Sequence, residues 1–444
     1  MILRQLGRLT AAIMTVAAVS LLVAATPTPT PPPTPTPDPT PTLPIPDRPT
    51  DPIRAQEYWL DGANVRDAWM VTRGEGVTIA IIDTGVARGP AAFDGAVVGG
   101  TDVSGIGSPD GRTPLGPIDS DHGTRVASLA AGRGASDGTG LIGVAPEANL
   151  LSISVGFGSS ATVPFVEQIA DAIVWAVDNG ADIINMSLTT NSLTWDPLWD
   201  NAFLYAYDHD VVVVVAAGNR LSGTTMVGAP ATIPGVLTVA GIDQHGQASE
   251  AASTQGITIG VAAPSENLLS VTPDGSLYKW FGTSGAAPIV AGAAALVRSA
   301  HPDLDAANVI QRLISTARSV DGVETLPDPL YGYGLLDAGA AVNADVPLVD
   351  ANPMGDLREW VRLYRRAPSQ PQPEPTSGPV EIPPLPPADA PAETGSALLP
   401  SLDTLRYGTL PLIAVSVPGI LVGLGVTAAA RRILSARDRR TPSP

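Results

Sequence analysis

Phe165-Val166-Glu167-Gln168-Ile169-Ala170-Asp171-Ala172-Ile173-Val174-Trp175-Ala176-Val177-Asp178-Asn179-Gly180-Ala181-Asp182-Ile183-Ile184-Asn185-Met186-Ser187 is the stretch that decides the fold class. In its first part Ile169, Ala172, Ile173, Ala176 and Val177 recur at the three-and-four spacing of one helix face, and Gly180 stands where a C-cap belongs. Asp182 to Ser187 then reads as a strand. Upstream, Val77-Thr78-Ile79-Ala80-Ile81-Ile82 is a β-branched run without polar alternation, and downstream Val211 to Ala217 carries five successive valines. Such runs belong to strands covered on both faces. Strand, helix and strand in this rhythm predict βαβ units, a central mostly parallel sheet and a three-layer α/β fold. In such sheets the chemistry gathers beyond the carboxyl ends of the strands.

Around this middle the composition changes. The chain has 444 residues and 45 prolines, which crowd into 27–52 and 368–391. The first 25 residues combine Arg4 and Arg8 with an apolar run ending in Val23-Ala24-Ala25, the pattern of a cleaved signal peptide. Leu410 to Ala430 carries no charge and is long enough for a hydrocarbon core of roughly 30 Å. Five arginines follow between 431 and 440, so the tail is expected in the cytoplasm and everything upstream outside. The expected division is a signal peptide (1–25), a Pro/Thr-rich linker (26–53), a folded domain (54–345), a juxtadomain segment and Pro-rich stalk (346–406), a transmembrane helix (407–430) and a basic tail (431–444). Proline-rich segments of this kind cannot pack a core and serve as stiff spacers. A net charge of −18 leaves no basic face for phosphates, which argues against a nucleic-acid partner. No cysteine is present, so stability must come from the core.

Four short motifs carry the chemistry. Asp83 closes the first apolar strand ahead of Thr84-Gly85, where a carboxylate can accept from one nitrogen of an imidazole and fix its tautomer. His122 stands in Asp121-His122-Gly123-Thr124 before a small-residue helical stretch. The other three histidines, His209, His245 and His301, sit in polar surroundings and read as surface residues. Ser284 lies in Gly282-Thr283-Ser284-Gly285-Ala286-Ala287-Pro288, where a helix is expected to open and present free amides to a developing oxyanion. Pro288 is expected within the first turns, where amides lack helical partners. Asn219, after the five-valine strand in Ala216-Ala217-Gly218-Asn219, offers a side-chain amide to the same oxyanion.

Together these motifs resemble the subtilisin-like serine proteases, over roughly Tyr58 to Val342. The resemblance implies a subtilisin-like fold for the domain 54–345 and a serine endopeptidase acting on polypeptides. It makes Ser284 the nucleophile, His122 the general base and acid, and Asp83 the orienting carboxylate. Asn219 and the Ser284 amide become the oxyanion hole, and Ser187, Leu188 and Thr189 the edge that pairs with the substrate. The chain order Asp, His, Ser is the order described for subtilisin itself. Signal, stalk, anchor and basic tail are similar to the architecture of the mycosins, membrane-anchored subtilases of type VII secretion, which implies secretion-system components as partners. Known mycosins generally carry cysteines; this chain does not.

Gly285 stands where the family usually has methionine, which implies resistance to mild peroxide. Thr189-Thr190 replaces the usual Gly-Gly, which implies a narrowed pocket for small or medium side chains before the scissile bond. The stretch between residue 25 and Tyr58 is too short for a folding propeptide domain. No cofactor is expected to be required; the resemblance permits a structural calcium, although no EF-hand-type loop is present. The rival reading is a catalytically silent module of the same fold that scaffolds a membrane complex. An esterase of the α/β-hydrolase type is not supported, because no Gly-x-Ser-x-Gly elbow surrounds a plausible nucleophile and the chain order is wrong, and a metallohydrolase lacks any His-Glu-x-x-His helix.

Overall fold

A computed structural model describes residues 51–365, apart from 118, 159 and 160, and residues 410–438. The expected signal peptide, most of the linker and the Pro-rich part of the stalk lie outside the described residues. Two short helices, α1 (Tyr58–Gly62) and α2 (Val65–Ala68), lead into β1 (Thr78–Asp83) and β2 (Val97–Asp102). Then follow α3 (His122–Ala131), β3 (Asn149–Ser154), α4 (Phe165–Asp178), β4 (Ile183–Met186), α5 (Pro197–Asp208), β5 (Val212–Ala216), β6 (Leu237–Ile242) and β7 (Ile259–Pro264). A hairpin of β8 (Leu268–Val271) and β9 (Leu277–Trp280) precedes α6 (Thr283–Ala300), α7 (Ala306–Ser315), α8 (Ala338–Asn343) and α9 (Leu357–Tyr364).

The seven strands β1 to β7 form one sheet in the order β2-β3-β1-β4-β5-β6-β7, and every neighbouring pair is parallel. Alternate residues divide between two cores, as the two-residue period of a strand requires. Ile79, Ile81, Ile183, Val212 and Val214 pack with α3 and α6. Ala80, Ile82, Ile184, Met186, Val213 and Val215 pack with α4 and α5 on the other face. In β1, β4 and β5 neither face meets water, which is why these strands read as continuous apolar runs, whereas the edge strand β2 is partly exposed, with Val98 at 59%. Gly180 ends α4 as expected: its φ of +77° suits a residue without Cβ, and its N–H donates to the Val177 carbonyl at 3.0 Å.

Packing continues past residue 345. Trp360 of α9 stacks on Trp195, with ring centroids 4.4 Å apart, and Arg365 donates to Asp200 at 2.8 Å. A second unit, from Pro368 onward, contains the 29-residue helix α10 (Leu410–Asp438). Among the described residues no helix is long and apolar enough to cross a membrane. The side chains at 410–416 and 419, within the apolar run, are not among those described.

Candidate active site

Asp83, the last residue of β1, is buried against the opening turn of α3. Its Oδ1 accepts the Thr84 N–H at 2.7 Å, which holds the carboxylate still. The Thr84 hydroxyl then ties strand to helix: it accepts the Gly123 N–H at 2.8 Å and donates to the Ser120 carbonyl at 2.9 Å. A threonine from another element thereby satisfies an amide at the helix N-terminus, and α3 begins at His122 itself rather than after it. His122 Nδ1 lies 2.8 Å and 2.9 Å from the two Asp83 oxygens, a geometry in which the imidazole donates from Nδ1 and keeps Nε2 for chemistry.

Burial works to lower the His122 pKa, since it penalises the charged ring. The Asp83 charge and hydrogen bond work the other way and prevail, so the pKa is raised above 6.5. The ring keeps 16% of its side-chain surface exposed, enough to meet a ligand. Trp280, at the end of β9, packs edge-on against it with centroids 5.7 Å apart and planes at 77°. The Arg125 guanidinium lies 4.6 Å from the centroid of the Trp280 ring and pairs with Asp119.

Ser284 is the second residue of α6, close to the free amides of its first turn. Pro288 sits one turn deeper than expected, at a position whose N–H would bond the Ser284 carbonyl. Proline has none, so that carbonyl is left open, and the Ser187 hydroxyl donates to it at 2.8 Å. The Ser284 hydroxyl donates in return to the Ser187 carbonyl at 3.2 Å, not to His122. Ser187 follows β4 directly, so this reciprocal pair fixes the candidate nucleophile to the candidate substrate edge.

Asn219 follows β5, and its amide is oriented by α6. Asn219 Oδ1 accepts the Thr283 N–H at 2.8 Å and the Thr283 hydroxyl at 3.0 Å, while that hydroxyl accepts the Gly218 N–H at 2.9 Å. With the oxygen doubly engaged, the Nδ2 hydrogens are free to face the cleft. Gly282 makes room for this: at φ +141° it adopts backbone that suits glycine, and a Cβ there would lie 2.9 Å from Asn219 Nδ2.

His122, Asn219 and Ser284 line one cleft of about 240 Å³, together with Asp119, Arg125, Ser222, Tyr278, Lys279, Trp280 and Phe281. A second of about 250 Å³ joins His122 to Ser187, Leu188, Thr189 and Phe157. Six of the seven residues singled out in the sequence therefore line these two clefts, at the carboxyl ends of β4 and β5, and the seventh, Asp83 at the end of β1, is buried against the His122 ring. Thr84, Thr283, Trp280 and Arg125 were not foreseen. The Thr-Ser and Asp-Thr doublets were visible as motifs, but the partners of those hydroxyls lie 36 or more residues away. Among the described residues no group of three or more His, Asp or Glu side chains is arranged to hold a metal ion.

Residues 74–334 match the profile of the Subtilase family, Peptidase_S8. Mycosin-3 of Mycobacterium tuberculosis is 37% identical over 342 residues, spanning 64% of this chain and 71% of that protein. Mycosin-1 of the same organism is 32% identical over 427 residues, spanning 84% of each. Among solved structures, the MycP3 protease from the type VII (ESX-3) secretion system superposes with a TM-score of 0.55 at 36% identity. It covers 65% of this chain and 88% of the other. The chain belongs to the subtilase family of serine endopeptidases and is related to the mycosins.

Proposed function

We propose that the protein is a membrane-anchored endopeptidase that cleaves polypeptides outside the cell through an acyl-enzyme on Ser284. The observation that carries this reading is the shared cleft of His122, Asn219 and Ser284 with Asp83 seated behind the imidazole. An incoming peptide would pair with Ser187-Leu188 and take over the Ser187 carbonyl, which frees the Ser284 hydroxyl to turn toward His122 Nε2. The imidazole would accept its proton as the oxygen attacks, and Asp83 would stabilise the imidazolium formed. Asn219 Nδ2 and the Ser284 N–H would receive the oxyanion. His122 would then donate the proton to the departing amine, and a water activated by the same ring would release the acyl group.

Thr189 and Thr224 crowd the site of a Gly218 Cβ from two sides, at 3.0 Å and 2.7 Å, which supports a pocket for small or medium residues before the scissile bond. The uncharged run 410–430 with its trailing arginines supports the anchor, and the kinship with mycosins supports a place beside a type VII secretion system.

One observation favours a silent scaffold instead: the Ser284 hydroxyl rests on Ser187 rather than on His122. A fluorophosphonate probe separates the two. Labelling of the full chain but not of Ser284→Ala supports the enzyme; absence of labelling in both sinks it. Cleavage profiling of the labelled form should favour Ala, Ser or Val over Phe and Tyr before the cut. Loss of residues 407–444 should move the protein from the membrane fraction to the soluble one.

A further inference from the structure

Lys279 is the only lysine in the 444-residue chain, and it stands at the lip of the candidate cleft. It is exposed at the end of β9, and among the described residues it meets no carboxylate within ion-pairing distance. Two cavities share it. The inner one, of about 240 Å³, contains His122, Asn219 and Ser284; the outer one, of about 270 Å³, is lined by Leu221, Ala251, Glu266, Asn267, Lys279, Trp280 and Phe281. Ser187-Leu188, the edge assigned to the acyl half of the substrate, lines a different cavity that shares only Asp119 and His122 with the inner one. The run of space past Ser284 toward Phe281 is therefore left for the departing half of the peptide.

The charges facing this run decide what it receives. Arg125 is buried and engaged by Asp119 and Asp121, so it contributes little free positive charge. Asp119 is likewise engaged by that guanidinium. The outer cavity also holds one carboxylate, Glu266, which accepts the Ser249 hydroxyl at 2.5 Å. Lys279, flanked by the exposed rings of Tyr278 and Phe281, is the one cation lining the two cavities that no carboxylate engages. The −18 net charge of the whole chain would draw cations from afar, but that field fades beyond about 10 Å at 0.1 M salt. At contact distance the nearest free charge prevails.

We propose that Lys279 is a specificity-determining residue that selects peptides bearing Asp or Glu in the first two positions after the scissile bond. This rests on the protease reading above and adds the substrate class of its leaving-group side. An exposed ammonium–carboxylate pair is worth only a modest preference, about 2- to 5-fold in kcat/KM for Asp over Asn or Glu over Gln. Its signature is dependence on salt and on the sign of one side chain.

The test uses the full chain in detergent and matched quenched-fluorescence peptides that differ only as acid or amide at those two positions. The readout is the acid-to-amide ratio of kcat/KM. It should be about 2- to 5-fold at 50 mM NaCl and approach unity at 1 M. Lys279→Arg should retain it and Lys279→Glu should invert it. With one lysine in the chain, acetylation should abolish the preference while reductive methylation, which keeps the charge, should not. A ratio of one in wild type at low salt, or a ratio unmoved by Lys279→Glu, overturns the inference while leaving peptidase activity intact. Failure to cleave any peptide, with no fluorophosphonate labelling, overturns the protease reading and this inference together.

Discussion

At the scale of single residues, Gly285 shows how one missing side chain sets a chemical property. A Cβ at this position would lie 2.3 Å from Leu268 Cδ1 and 3.5 Å from Trp280 Cζ2, so β8 and β9 fill the space a methionine side chain would need. No thioether then stands beside the Ser284 hydroxyl. Activity should survive mild peroxide that would oxidise a neighbouring methionine, as measured by residual peptide cleavage after treatment; rapid inactivation contradicts it. Gly285→Met should not simply restore sensitivity. It should first destabilise the domain by about 1–3 kcal/mol through overpacking, visible as a lower denaturation midpoint.

At the scale of elements, α6 and the turn after β4 are joined through a gap in helical hydrogen bonding. Pro288 cannot donate to the Ser284 carbonyl, and the Ser187 hydroxyl does so in its place. Ser187→Ala should leave that carbonyl without a donor and cost about 1–3 kcal/mol. Pro288→Ala supplies the missing N–H, so in that background the same change at Ser187 should cost markedly less. A double-mutant cycle by chemical denaturation measures the coupling. Additive effects of the two changes would show that the hydroxyl does not replace the helical bond.

At the scale of the whole molecule, the N-terminal segment is fastened to the domain by a buried acid. Glu57, which is 1% exposed, accepts the Ile142 N–H through Oε1 at 2.7 Å, while Oε2 has no partner. Burial pushes its pKa up from 4.5 to about 8, with the Ile142 hydrogen bond only partly countering it. The folded state therefore binds this proton more tightly than the unfolded chain does. Its contribution to stability is complete below about pH 4.5 and is lost as the pH rises toward about 8. Glu57→Gln cannot ionise, so it should raise the melting temperature relative to wild type at pH 9 and change it little at pH 4. Equal shifts at both values would refute the buried acid.

Much of this protein was legible in the polymer itself. Continuous β-branched runs, a helix with apolar residues on one face and a glycine stop determine a parallel sheet between helical layers, because periodicity and burial are local consequences of composition. Asp83, His122, Ser284 and Asn219 could be picked out because each sits at a strand end or a helix start, where short motifs set polar groups against glycine and small residues. Hydrogen bonds between elements could not be read, since nothing in the chain says which distant group a hydroxyl will meet. Thr84 capping α3, Thr283 orienting Asn219 and Ser187 standing in for the proline amide exist only because the sheet brings their partners together. The same holds for Lys279: its uniqueness is written in the composition, but its place on the rim of the cleft was decided by the packing of the β8–β9 hairpin beside His122.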